Sequence, residues 1–123
     1  MARVLVCDDH DMLRRLIAGQ LADEGHEVLT AADAAEASAI LDGEPVELVV
    51  LDLHLGDVSG LVVLERVRAR GKAPVILLSG DFDGEANQGW ARRLGADAVL
   101  PKPFEPDQLS DVVRALLRAP AGS

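Results

Sequence analysis

Short, strongly apolar runs alternate along this chain with segments of helical periodicity, and that alternation admits few folds. Val46 to Leu51 is almost continuously apolar, as a strand buried on both faces of a parallel sheet reads. Similar runs lie at Ala2 to Cys7, Glu27 to Thr30, Ala73 to Leu78 and Ala98 to Leu100. Pro74 falls at the start of its run, where a missing ladder donor is tolerated. Five strands alternating with five helices require a doubly wound parallel sheet with right-handed crossovers and helices on both faces. The expected fold class is α/β, a flavodoxin-like (βα)5 doubly wound sheet with strand order 2-1-3-4-5.

The helices carry their own punctuation. The first spans about Asp11 to Glu24, with Leu13, Leu16, Ile17 and Leu21 on one face and Gly25 as a left-handed cap. Asp33 caps the second, with Glu36 three positions on in a capping-box-like pairing, and that helix ends near Asp42-Gly43. A loop through Gly56 and Gly60 leads to a third helix over about Leu61 to Arg70, with Leu64 and Val67 inward and Gly71 closing it. A fourth, over about Glu85 to Leu94, is marginal because its surroundings are polar and glycine-bearing. Pro106 opens the last, whose inward face is Leu109, Val112, Val113, Leu116 and Leu117.

At 123 residues the chain fits one domain, expected over 1–118, with 119–123 as a flexible tail or the start of a linker. Its formal charge of −9 would repel a phosphate backbone and an anionic membrane alike, so no direct nucleic-acid or membrane contact is expected. With two Phe, one Trp and no Tyr, the chain lacks an aromatic platform for stacking bases, and its core must be aliphatic. No apolar run approaches the ~18 to 20 residues that span a bilayer, and nothing resembles a signal segment, so a cytoplasmic location is expected. The single cysteine, Cys7, lies within a strand and reads as a buried small hydrophobe.

The chemistry collects where strands stop. Asp8 and Asp9 follow the first strand and Asp52 follows the third, and in this strand order those strands are neighbours at the switch point where open α/β sheets bind ligands. Three carboxylates brought together either raise a pKa or share a cation. An all-oxygen ligand set with no His or Cys cluster favours a hard dication, Mg2+ first among them. Such an ion is the usual partner of a phosphate group, and the rim suits that guest. Ser79 offers a hydroxyl, Gly80 a backbone N–H, and Lys102 a point positive charge. A carboxylate can itself attack phosphorus, and Asp52 is the best placed to do so.

These residues resemble the receiver domain of two-component response regulators, in the single-domain form of the chemotaxis regulators. The likeness covers about Ala2 to Leu117: Asp8-Asp9 after the first strand, Asp52 with Gly60 eight residues on, Ser79-Gly80, and Lys102-Pro103-Phe104. It implies a phosphoprotein of phosphorelay signalling, not a turnover enzyme. Asp52 would take a phosphoryl group from a sensor histidine kinase or histidine phosphotransfer protein and slowly hydrolyse it. It also implies that Asp9 and Asp52 ligate Mg2+ directly, with Asp8 assisting through water and the backbone carbonyl of His54 as a further ligand. Ser79, Gly80 and Lys102 would contact phosphoryl oxygens, the Lys102-Pro103 peptide would be cis, and the fourth helix, fifth strand and fifth helix would meet an output partner.

Two positions depart from the family pattern. Val99 stands where an aromatic residue usually reports phosphorylation, which puts the usual output switch in doubt, and Gly56 replaces a common proline, which predicts a looser loop around His54. The His54 side chain is expected at the pocket mouth, His10 and His26 at the surface, and Phe104 packed behind the Lys-Pro turn; Trp90 either anchors the sheet or is exposed to a partner. Two alternatives stay open. Asp9-His10-Asp11 loosely resembles the paired acids of haloacid-dehalogenase-like phosphatases, with Asp9 as nucleophile, and the fold could also serve as a phosphorylation-independent interaction module.

Overall fold

The computed structural model describes residues 2–80, 93 and 95–118. Its main sheet contains β1 (Arg3–Cys7), β2 (Glu27–Ala31), β3 (Leu48–Asp52), β6 (Val75–Ser79) and β7 (Ala98–Pro101), all parallel in the order β2-β1-β3-β6-β7. This is the expected 2-1-3-4-5 arrangement once a small hairpin, β4 (His54–Leu55) and β5 (Val58–Ser59), is counted separately. The helices are α1 (Asp11–Asp23), α2 (Ala34–Gly43), α3 (Leu61–Arg70) and α4 (Pro106–Arg118). The segment expected as a helix over Glu85 to Leu94, with Trp90 in it, falls outside the described residues apart from Arg93, as does 119–123.

Alternation along the central strands builds two cores. Leu5, Cys7, Val49, Leu51, Val75 and Leu77 face Ala37 and Leu41 of α2 and Val63, Leu64 and Val67 of α3. The residues between them, Val4, Val6, Leu48, Val50, Ile76 and Leu78, face Ile17 and Leu21 of α1 and Leu109 and Val113 of α4. Every residue of β3 and β6 is buried, as their unbroken apolar runs require.

Three sequence expectations need correction. Leu16 is 64% exposed and is not part of the buried face of α1; Ile17 and Leu21 carry that face, with Leu13 packed at its edge. β3 starts at Leu48, not Val46, because Val4 pairs with Leu48 while exposed Glu47 bonds Arg3 outside the strand. The stretch around Gly56 is a hairpin in which His54 pairs with Ser59 and Leu55 with Val58, closed by Gly56 at φ +65°.

The local signals in the helices act as read. Asp33 caps α2 by accepting from the Glu36 N–H at 2.8 Å, while Glu36 reaches back to the Ala32 N–H at 2.7 Å. Gly25 takes φ +97° just past α1. The cap at the start of α1 is unexpected: the Nδ1 atom of His10 accepts from the Leu13 N–H at 3.2 Å. His26 likewise does more than face solvent, accepting from the Ala2 N–H at 3.2 Å.

The revised face of α1 gives a contrast in urea denaturation. Leu16→Ser should shift stability by no more than about 0.5 kcal/mol. Leu21→Ala should cost about 2–5 kcal/mol.

Candidate functional site

Parallel register decides which residues share a rim. Cys7 pairs with Leu51, Asp52 with Leu78, and Ser79 with Pro101, so Asp8, Asp52, Ser79 and Lys102 emerge at one carboxyl edge. One oxygen from each of Asp8, Asp9 and Asp52 can be chosen so that all three lie within 4.8 Å of one another. Asp8 and Asp52 are buried and Asp9 is exposed.

Lys102 closes the cluster. Its Nζ lies 3.0 Å from Asp52 Oδ2 and 3.4 Å from Asp8 Oδ2, while its own N–H donates to the Ser79 carbonyl at 2.7 Å. Each carboxylate also accepts one backbone N–H: Asp8 from His10 at 2.9 Å, Asp52 from His54 at 3.2 Å, and Asp9 from Gly56 at 2.9 Å. Arg14 steadies the approach to α1, donating from Nη1 to the Asp8 carbonyl at 3.0 Å and from Nη2 to Asp11 at 2.7 Å.

The electrostatics follow burial. Removal from water pushes the Asp8 carboxyl above its ordinary range, and the Asp52 charge adds to this, while the His10 N–H and the Lys102 ammonium pull the other way. Cys7, just beneath, is pushed up to about 12, chiefly by burial and then by Asp8, so it stays a protonated thiol within the core. Among the described residues the buried Ser79 hydroxyl has no hydrogen-bond partner. A buried polar atom normally has one, so this oxygen is set to meet a guest at the rim.

Gly60 is required by a close approach. A Cβ there would run into the Asp52 carbonyl oxygen and come within 3.0 Å of Leu53 Cα, while the Gly60 N–H donates to the Leu53 carbonyl at 2.6 Å. The Lys102-Pro103 peptide is cis, as expected. Phe104 packs, partly buried, against the α1 and α4 core, and partly buried Val99 packs against the α2 and α3 core. The His54 residue is exposed, and its backbone N–H is the one that Asp52 accepts. Four contacts have no counterpart in the sequence analysis: the Arg14 bond to the Asp8 carbonyl and the His10, His54 and Gly56 N–H bonds to Asp8, Asp52 and Asp9. Only the Gly56 bond had a signal, since Gly-Asp between two short runs marks a two-residue hairpin.

The fold is one that known proteins share. A family model for the response regulator receiver domain matches residues 4–114. The transcriptional regulatory protein AruR of Pseudomonas aeruginosa is 37% identical over 121 residues, covering 94% of this chain and 49% of that protein. The regulatory protein VirG of Rhizobium rhizogenes is 34% identical over 118 residues, covering 96% of this chain and 49% of that protein. The chain thus spans about half the length of these curated relatives. Among solved structures, the receiver domain of NtrX from Brucella abortus superposes with a TM-score of 0.83 at 40% identity, covering 94% of this chain and 99% of that one. The receiver domain of the Francisella response regulator 1452 gives a TM-score of 0.87 at 28% identity, covering 94% and 96%.

Asp8 provides a test of the electrostatics. A carboxyl whose pKa is raised by folding contributes its full stability below the ordinary carboxylate pKa and loses it as pH climbs through the raised value. In metal-free protein, Asp8→Asn should therefore melt above wild type at neutral pH, with the gap closing on acidification. Thermal denaturation across that range checks it.

Proposed function

The chain belongs to the response regulator receiver domain family, and from this we propose that Asp52 takes a phosphoryl group from the phosphohistidine of a sensor histidine kinase or a histidine phosphotransfer protein. The observation that carries this reading is the meeting of three carboxylates with Lys102 and the unpartnered Ser79 hydroxyl at one rim. An Asp52 carboxylate oxygen attacks phosphorus, the phosphorus–nitrogen bond breaks, and the imidazole leaves with the bonding pair. Lys102, already against Asp52, balances the added negative charge, and the Ser79 hydroxyl and Gly80 N–H take phosphoryl oxygens. Attack by water on the phosphoryl group later returns Asp52 to its free form. The chain in this reading modifies itself and does not turn over a metabolite.

The donor set fits a hard divalent cation, since its side-chain ligands are all carboxylate oxygens within 4.8 Å of one another. Mg2+ would be held by Asp9, Asp52 and the His54 carbonyl, with Asp8 through water, and would supply charge neutralisation and orientation to the incoming phosphate. Among the described residues no helix is long and apolar enough to cross a membrane, and we place the phosphoryl exchange in the cytoplasm. The output surface is proposed to include β7 and α4, together with the segment expected as the fourth helix. At Val99 there is no ring to rotate, so this surface must respond by another displacement. Receiver family membership favours Asp52 over Asp9 as the nucleophile.

Incubated with acetyl phosphate and Mg2+, the wild-type chain should gain one phosphoryl group by intact mass spectrometry, borohydride trapping should place it on Asp52, and Asp52→Asn should gain none. A label on Asp9, or no gain in the wild type, overturns the reading.

A further inference from the structure

Asp9 differs from its two neighbours in how it is held. Asp8 and Asp52 are buried and share Lys102, whereas Asp9 is exposed and its carboxylate accepts from the Gly56 N–H at 2.9 Å across the β4–β5 turn. An exposed aspartate without such a bond is at liberty to turn its carboxylate into solvent. Residue 56 offers that N–H because it is not proline and tolerates a positive φ. Gly56 sits at φ +65°, a conformation that costs glycine little and that proline, fixed near φ −65° and without an N–H, cannot take.

We propose that Gly56 is a positioning residue for the metal site: its N–H fixes Asp9 Oδ2 and so presents the rest of that carboxylate toward Asp52 before any cation arrives. This rests on reading Asp9 as a metal ligand. Donors behind a ligating carboxylate orient it, and their loss typically costs about 10–100-fold in metal affinity. The same bond joins the loop after β1 to the hairpin bearing His54, so the two loops are tied together before a cation binds.

The test is a Mg2+ titration of the full chain followed by amide NMR. Gly56→Pro should weaken Mg2+ binding by about tenfold or more, and Gly56→Asn, which keeps the N–H and tolerates positive φ, should bind close to wild type. A second measurement decides the matter if Gly56→Pro does not fold: in metal-free protein the Gly56 amide should be protected from exchange, and Asp9→Ala should abolish that protection. Equal Mg2+ affinity in wild type and folded Gly56→Pro overturns this proposal alone. So does a Gly56 amide indifferent to Asp9→Ala. A wild-type chain that does not bind Mg2+ overturns the metal reading of the rim as well.

Discussion

The repulsion among Asp8, Asp9 and Asp52 is the constraint on which the rest of this structure is arranged. Three carboxylates in one corner, two of them buried, form an arrangement that a fold chosen for stability alone would avoid. The chain contains the repulsion with the Lys102 ammonium, shared between Asp8 and Asp52, and with one backbone N–H to each acid. Hydrogen bonds to charged groups contribute about 1.5–3 kcal/mol each, enough to hold the carboxylates in place without neutralising them all. What is left over is a cluster of carboxylates that could hold a metal ion.

A rim of this kind needs a rigid base, and the sheet provides it. β3 and β6 are buried along their whole length, and the two aliphatic cores fix their register from opposite faces. A slip of one residue would exchange the faces of every strand side chain and draw Asp52 out of the site. Gly60 adds a second constraint, since the turn after Asp52 runs so close to the Asp52 carbonyl that no side chain fits there.

Most of this was legible in the sequence, for reasons that can be named. Buried parallel strands advertise themselves as unbroken apolar runs, and acids or a lysine placed directly after such runs must gather at one edge; this is how Asp8, Asp52, Ser79 and Lys102 are found without a structure. What escaped is what side-chain patterns do not encode. The His10 and His54 backbone N–H groups that donate to Asp8 and Asp52 leave no residue signature. Leu16 reads as core because helical spacing alone does not set where the apolar face ends, and the packing of α1 on the sheet takes Ile17 and Leu21 while leaving Leu16 outside. For the Gly56 hairpin the Gly-Asp turn is the one sequence signal, because two strands of two residues each are too short to carry an alternating pattern.

The most direct measurement of the central claim is a crystal structure with Mn2+ in place of Mg2+, its anomalous signal locating the ion. A peak in direct coordination range of both Asp9 and Asp52, with the Lys102 ammonium still inside the pocket, is the expected result. A peak elsewhere, or Asp9 and Asp52 too far apart to share one ion with Lys102 turned to solvent, would contradict it.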